Sequence, residues 1–280
     1  MTRVLASLVP LALTVACSSS PPPAAEPPVP EPPSVAKPLS EPEPEPEVTP
    51  LSATQIEAIV AAEDRTDRDR KTDERRQPAE LLGFMKLRPG MKVADIGAGT
   101  GYTTELLARA VGSEGTVYGQ NPTFVLERFA EEGWSARLAT PPMANVVRLD
   151  REFDDPFPAD LRDLDMVVNI MFYHDFAWQE VDRAAHCAAV FDALRPGGEY
   201  VLVDHSAADG AGVSGSKTLH RVEEALVRAE LEAVGFELIE QADFFRNPAD
   251  TRDWNALPWR GEREELSDRF VLKFRKPAAA

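Results

Sequence analysis

The chain has 280 residues, with 47 acidic and 30 basic side chains and a formal net charge of −17 at pH 7. This acidic balance argues against nucleic acid as a general partner, because a phosphate backbone is bound by basic surfaces. Hydrophobic residues make up 43% of the chain, so it is neither wholly disordered nor a polytopic membrane protein. The only cysteines are Cys17 and Cys187, which excludes a disulfide framework.

The first sixteen residues have the pattern of a secretion signal. Arg3 precedes an apolar run over residues 4–16 that is too short to span a bilayer as a helix. The segment from Leu13 to Cys17 resembles a bacterial lipobox, which implies that Cys17 is lipidated and becomes the first mature residue. The alternative is an ordinary secretion signal that is cleaved nearby. We expect the mature protein outside the cytoplasm, attached to a membrane by lipid alone, at the periplasmic face of the outer membrane in a Gram-negative cell.

Residues 17–50 predict an extended tether. Of the 25 prolines, 13 lie between Pro21 and Pro50, interspersed with six glutamates. Proline favours the polyproline II conformation, and the repeated glutamates repel one another. The remaining residues, 51–280, are enough for one well-packed domain.

The beginning of this domain predicts helices. Ser52 is a suitable N-cap for a helix that reaches Glu63, and the charge-dense stretch 64–76 predicts a solvated helical face. Pro78 fits the first turn of a further helix through Leu87. We therefore expect a helical extension ahead of the main fold.

From Met91 onward, short apolar runs alternate with amphipathic stretches. The predicted strands are Lys92–Ile96, Thr116–Gly119, Asn145–Leu149, Asp165–Ile170, Glu199–Asp204, Glu237–Ala242 and Arg269–Phe274. The predicted helices are Thr103–Val111, Pro122–Glu132, Trp178–Leu194 and Ser216–Val234. This alternation predicts an α/β fold, a doubly wound and mostly parallel seven-stranded sheet with helices on both faces. The last two strands lack a long helix between them, which predicts antiparallel pairing at one edge.

The strongest local signal is a glycine-rich turn between the first of these strands and the following helix. It runs from Asp95 to Tyr102 and places glycines at positions 97, 99 and 101. Glycines allow a tight turn and close approach to a ligand, and the helix N-terminus offers amide donors to an anionic group. The spacing differs from the dinucleotide fingerprint. It resembles motif I of the class I S-adenosylmethionine-dependent methyltransferases.

Other segments support this resemblance across roughly residues 75–275. Leu194 to Gly198 resembles the turn that precedes strand five in that superfamily, and Asp150 stands where the family places an acid near the adenine. At the end of strand two the family carries an acid for the ribose, whereas this chain has Gln120 and Asn121. Several stretches resemble a bacterial group of predicted methyltransferases, among them Phe172 to Asp175, Val203 to Ser206 and Lys217 to Arg221.

The resemblance implies S-adenosylmethionine as the cofactor. It implies that the turn with Gly97, Gly99, Thr100, Gly101 and Tyr102 holds the methionine part. Asp95 would then orient the loop or a bound water, Gln120 and Asn121 would bind the ribose, and Asp150 would bind the adenine edge. A glycine turn that only packs a helix on a strand is the competing interpretation.

Two polar clusters follow strands four and five, at the edge of an open α/β sheet where ligands bind. They contain His174 and Asp175, and Asp204 and His205. A histidine titrates near neutral pH and a carboxylate can orient it, so we expect His174 or His205 to be the general base of methyl transfer. Asp175 or Asp204 would orient it. The same four side chains also form a possible metal-ligand set.

These features favour a lipid-tethered methyltransferase that acts on a small-molecule acceptor. Two other hypotheses remain open. One is a non-catalytic ligand-binding lipoprotein on the same fold, which the exchange of an acid for Gln120 and Asn121 mildly favours. The other is a metal-dependent enzyme on this scaffold.

Overall fold

The computed structural model describes residues 49–257 and 267–278. The predicted signal peptide, Cys17 and nearly all of the predicted tether lie outside the described residues. Within the described part of the chain, no helix combines the length and the apolar character that crossing a membrane requires.

The described residues form a seven-stranded sheet. Its strands are β1 (Lys92–Ile96), β2 (Thr116–Asn121), β3 (Val146–Asp150), β4 (Leu164–Ile170), β5 (Leu194–His205), β6 (Glu237–Ala242) and β7 (Arg269–Arg275). Their spatial order is β3-β2-β1-β4-β5-β7-β6. The first five pair in parallel, and β7 lies antiparallel between β5 and β6. The predicted fold class is confirmed, and the antiparallel strand lies one position in from the edge.

The helices flank this sheet. In the described residues they are α1 (Ala53–Val60), α2 (Asp67–Arg76), α3 (Pro78–Met85), α4 (Tyr102–Val111), α5 (Thr123–Val125), α6 (Glu131–Leu138), α7 (Arg183–Ala193), α8 (Ser216–Leu219) and α9 (Glu224–Ala233). Ser52 caps α1 in a capping box with Gln55, and Pro78 occupies the first turn of α3. The predicted helical extension is therefore present as α1 to α3.

Successive apolar side chains along each strand point to opposite faces of the sheet, so each face has its own apolar core. Val93 packs with α1, α3 and α4, whereas its neighbour Ala94 packs with α7 and α9. In the same way Val201 and Leu202 of β5 belong to opposite faces. Because successive strand residues point to opposite faces, this two-sided burial requires nearly continuous apolar runs.

The predicted helix Ser216–Val234 is wrong as a single element. It breaks at His220, which has φ of 52°, and α9 begins only at Glu224. Between the two helices Val222 forms a parallel bridge with Ser206, and the Arg221 guanidinium is buried in an ion pair with Asp250 at 2.7 Å. These long-range contacts compete with helix continuation and outweigh the local helical propensity.

Other predicted boundaries shift. The predicted helix Trp178–Leu194 begins only at Arg183, because Asp182 caps it by accepting from the backbone N–H of Ala185. The predicted helix Pro122–Glu132 continues to Leu138 through a π-helical turn, Leu126–Ala130. The predicted turn at Leu194 to Gly198 is part of β5, which pairs irregularly with β4 there.

Candidate functional site

The glycine-rich turn connects β1 to α4 at the carboxyl edge of the sheet. Gly97, Gly99 and Gly101 all have positive φ, at 69°, 57° and 86°, a region that residues with a Cβ rarely adopt. A Cβ on Gly97 would lie 2.4 Å from the ring of Phe172, and one on Gly101 would lie 2.6 Å from Trp134. A Cβ on Gly99 would meet nothing within 4 Å. Among the three, only Gly99 therefore has open space beside its Cα.

Asp95 lies beneath this turn. Its carboxylate accepts a hydrogen bond from Thr104 Oγ1 at 2.6 Å, which joins the end of β1 to the first turn of α4. The side chain is buried, and this burial raises the pKa of Asp95 to about 7. The contact fits the predicted role of orienting the loop.

The side-chain amides of Gln120 and Asn121 hold the turn from below. Gln120 Oε1 accepts from the backbone N–H of Gly97 at 3.2 Å, and its Nε2 donates to the carbonyl of Arg151. Asn121 accepts from Gly99 N–H at 2.8 Å and donates to Gly99 C=O at 3.0 Å. Both side chains are fully buried. Ribose binding by these residues stays a prediction, but the groups that would provide it are engaged with the protein backbone.

The remaining residues predicted to bind the cofactor are separated in space. Thr100 lines the cavity beside the turn. Tyr102 points the other way, because its hydroxyl donates to Asp73 of α2 at 2.6 Å. Asp150 is half exposed and pairs with Arg148 at 2.7 Å. Neither Tyr102 nor Asp150 is among the described residues that line this cavity.

The cavity has a volume of about 300 Å³ and runs from the glycine turn to the ends of β4 and β5. Gly99 and Thr100 form one wall. Aromatic side chains and two cationic side chains of α2 form other parts: Phe124, Phe129, Phe172, Trp178, Arg75 and Arg76. The sequence predicts a solvated helical face for the two arginines. Helix α2 ends at Arg76, two residues before Pro78, and this proline is a sequence signal for the end of the helix.

Three histidines, His174, His205 and His220, line the same cavity and form the histidine cluster. The ring centroids of His205 and His220 lie 5.7 and 5.5 Å from that of His174. His220 was not among the predicted catalytic residues. It reaches the cluster because the break after α8 turns the chain there, and no local pattern signals that break.

Asp204 connects the ends of β4 and β5. Its carboxylate accepts from His174 Nδ1 at 2.6 Å and from the backbone N–H groups of His174 and His205 at 2.8 and 2.7 Å. Asp204 is fully buried. The two predicted polar clusters therefore meet, through a contact between strands rather than between sequence neighbours.

The two candidate bases differ in charge. Burial lowers the pKa of His174, but the charges of Asp204 and Asp175 outweigh it and raise the pKa to about 10. His174 is therefore a cation at neutral pH, which disfavours it as the general base. Burial, together with the positive charges of His174 and nearby arginines, holds the pKa of His205 well below its usual range. His205 is neutral, and its Nδ1 is hydrogen-bonded to Ser267 Oγ at 2.8 Å.

Asp175 contacts two side chains in addition to His174. Its Oδ1 accepts from Trp178 Nε1 at 2.7 Å and is hydrogen-bonded to His220 Nδ1 at 3.0 Å. The same oxygen lies 3.2 Å from His174 Nε2. Burial raises the pKa of Asp175, but the charge of His174 and the hydrogen bonds hold it far below its usual range. Asp175 is therefore a carboxylate shared by several donors.

Comparisons with known proteins agree with this architecture. A family model described as protein-L-isoaspartate(D-aspartate) O-methyltransferase matches residues 70–133, less than a quarter of the chain. That segment contains the glycine turn and both amides beneath it. A search of curated proteins finds no match.

Several solved structures share the fold at low sequence identity. An S-adenosylmethionine-dependent methyltransferase from Aquifex aeolicus has a TM-score of 0.53 and 17% identity, and the match covers 80% of this chain and 98% of that one. A chain from the complex of the Haloferax volcanii methyltransferase activator Trm112 with a methyltransferase has a TM-score of 0.53 and 18% identity. That match covers 81% of this chain and 99% of the other.

The [4+2]-cyclase SpnF gives a TM-score of 0.53 and 16% identity, over 72% of this chain and 83% of that one. Because a cyclase also has this fold, the fold alone does not determine which reaction a protein catalyses. Identities this low establish architecture alone. The chain therefore has the fold of the S-adenosylmethionine-dependent methyltransferases.

Proposed function

We propose that this protein is an S-adenosylmethionine-dependent methyltransferase that acts on a small molecule. The observation that carries the proposal is a cavity with the open space beside Gly99 on one side and the histidine cluster on the other. It lies beyond the carboxyl ends of the parallel strands, where open α/β sheets bind their ligands. The match of the methyltransferase family model to the turn itself supports the same assignment.

The residues present fit such a cofactor. The space above Gly99 is one that a Cβ would occupy, and the adjoining walls of Phe124, Phe129 and Trp178 suit a flat heterocycle. When bound, the cofactor supplies an electrophilic methyl group on a sulfonium. The protein contributes orientation, exclusion of water and a base, because in-line displacement depends on the alignment of the acceptor atom.

His205 is the base that this arrangement favours. It lines the cavity and is held through Nδ1 by Ser267, and its lowered pKa leaves the imidazole free to accept a proton but makes it a weak base. The imidazole would take the proton of the acceptor atom, and the lone pair of that atom would form the new bond to the methyl carbon. The carbon–sulfur bond would break at the same time and leave its electron pair on sulfur. General-base catalysis contributes about 10²–10⁴-fold. We expect His205→Ala to lower kcat by about that factor while cofactor binding persists. An unchanged kcat would remove His205 from the mechanism.

The cofactor site is tested by calorimetry on the full chain with S-adenosylmethionine. Gly99→Ala places a methyl group in the open space, and we expect it to weaken binding by about tenfold or more. Gly90→Ala is the matched control, since Gly90 also has positive φ, at 84°, and also meets nothing within 4 Å, but lies in the turn before β1. The proposal fails if the wild type does not bind the cofactor, or if both variants weaken binding equally.

A second candidate is a ligand-binding protein without catalysis. It is favoured by Gln120 and Asn121, whose amides bind the loop backbone instead of facing the cavity. Measurement of turnover distinguishes the two candidate functions. Formation of S-adenosylhomocysteine with a panel of small acceptors supports the enzyme, whereas cofactor binding without product across that panel favours the binding protein.

The membrane attachment is a separate proposal that rests on the lipobox-like segment ending at Cys17. We expect the full chain, expressed in a Gram-negative host with labelled palmitate, to take up label and to fractionate with membranes. Cys17→Ala should abolish both. Equal labelling of the variant, or a wild type that remains unlabelled, would contradict the lipid anchor and leave the ordinary secretion signal as the alternative.

A further inference from the structure

We propose that His174, Asp175 and His220 bind one divalent transition-metal ion at the wall of the cavity. Each residue offers a ligand atom, and the three atoms lie within 4.8 Å of one another. The residues come from the turn after β4 and from the end of α8, so the grouping exists only in the folded chain. This group differs from the metal-ligand set predicted from the sequence, which also contained Asp204 and His205. Asp204 is instead hydrogen-bonded to His174 and to two backbone N–H groups, and His205 is hydrogen-bonded to Ser267.

Two separations of the ligand atoms are close to those of a coordination shell. Asp175 Oδ1 lies 3.0 Å from His220 Nδ1 and 3.2 Å from His174 Nε2. For metal–ligand bonds of about 2.1 Å, neighbouring ligand atoms lie about 3.0 Å apart in an octahedron and about 3.4 Å apart in a tetrahedron. These two separations are therefore compatible with a shared ion, and all three ligand atoms lie within 4.8 Å of one another.

The second independent observation is the state of His174. Its side chain is buried, and Nε2 has no hydrogen-bond partner of good geometry among the described residues. Its Nδ1 is held by Asp204 at 2.6 Å, which fixes the ring so that Nε2 faces Asp175. Metal-binding histidines commonly bond a carboxylate through their second nitrogen in this way.

The donor set selects the class of ion. Two imidazoles and one carboxylate suit Zn²⁺, Co²⁺ or Fe²⁺, whereas Mg²⁺ and Ca²⁺ prefer oxygen ligands. A bound ion would take the place of a proton on His174 Nε2, beside the carboxylate of Asp175 and with Asp204 on the other ring nitrogen. Three protein ligands leave coordination positions for water or a substrate heteroatom, as in catalytic metal sites.

The test uses the full chain, freed of any purification tag and treated with a chelator, and titrated with Co²⁺ as a spectroscopic probe. We expect one ion per chain, visible d–d absorption, and a rise in Tm because the ion binds only the folded state. His220→Asn and Asp175→Asn should each weaken binding by about 10-fold or more. Asparagine is suitable at position 220 because it tolerates the left-handed backbone that His220 adopts.

His205→Gln is the matched control, since it removes a histidine of the same cavity that is outside the proposed ligand set. It should retain the ion. The proposal is overturned if the wild type binds no Co²⁺, if binding survives in both folded ligand variants, or if His205→Gln loses the ion as fully as they do. The measurement needs no S-adenosylmethionine, so its failure and the failure of the proposed methyl transfer are separate results.

Discussion

At the scale of single residues, buried polar groups organise the site. Asp95 holds α4 through Thr104, Asn121 holds Gly99, and Asp204 holds His174 and His205. A buried polar group is costly unless it is hydrogen-bonded, so each of these contacts fixes the backbone around it. The loop and the histidine cluster are therefore preorganised by side chains that lie behind the cavity wall.

The Asp95 carboxyl predicts a specific pH dependence. Its pKa rises on folding from 3.8 to about 7, so the folded state binds more protons than the unfolded state between these values. The Asp95 carboxyl therefore stabilises the folded state fully below about pH 4. As the pH rises from there toward 7, the free energy of unfolding that it contributes falls by about 1.4 kcal/mol per pH unit. Asp95→Asn keeps an acceptor for Thr104 and removes the titration. Urea unfolding from pH 4 to 8 should show wild-type stability falling relative to the variant, and parallel curves would contradict this.

At the scale of elements, the packing of α6 decides the shape of the cofactor side of the sheet. Trp134 of α6 is fully buried and lies against two glycines, Gly101 at the start of α4 and Gly119 of β2. The indole fits because neither position carries a Cβ. These glycines thus serve helix packing, whereas Gly99 remains open.

This packing predicts coupling between Gly119 and Trp134. A Cβ at Gly119 would lie 2.6 Å from the indole, so we expect Gly119→Ala to lower the free energy of unfolding by about 1–3 kcal/mol. Trp134→Phe removes the ring atoms that clash but leaves a cavity. The double variant should therefore lose less stability than the sum of the single variants, measured by urea unfolding. Additive losses would show that the two side chains do not meet.

At the scale of the whole molecule, the described residues account for the core. Both large apolar clusters are built from residues between Ile56 and Phe274. The extension α1 to α3 contributes to one of them, and Leu51 N–H donates to Leu87 C=O at 2.9 Å. We therefore predict that the folding unit begins close to residue 49.

A chain that starts at Thr49 tests this boundary. We expect its Tm to lie within about 2 °C of the full chain, because the clusters and the contact of Leu51 remain. Differential scanning calorimetry at the same pH and salt gives the comparison. A fall of about 10 °C would mean that residues 1–48 contribute to the stability of the domain.

The sequence by itself determined the fold class, the seven strands to within a few residues and the glycine turn. These follow from local information: the spacing of apolar residues, the positions where only glycine adopts positive φ, and helix caps. It also placed His174 and Asp204 at the same edge of the sheet, because the carboxyl ends of parallel strands meet there.

Only the tertiary structure decided which side chains meet. The break at His220 depends on the buried pair of Arg221 with Asp250, and the pairing of His174 with Asp204 joins residues 30 positions apart. The engagement of Gln120 and Asn121 with the loop likewise depends on how β2 lies beside β1. Such contacts arise from the packing of distant segments, so no local pattern of residues specifies them.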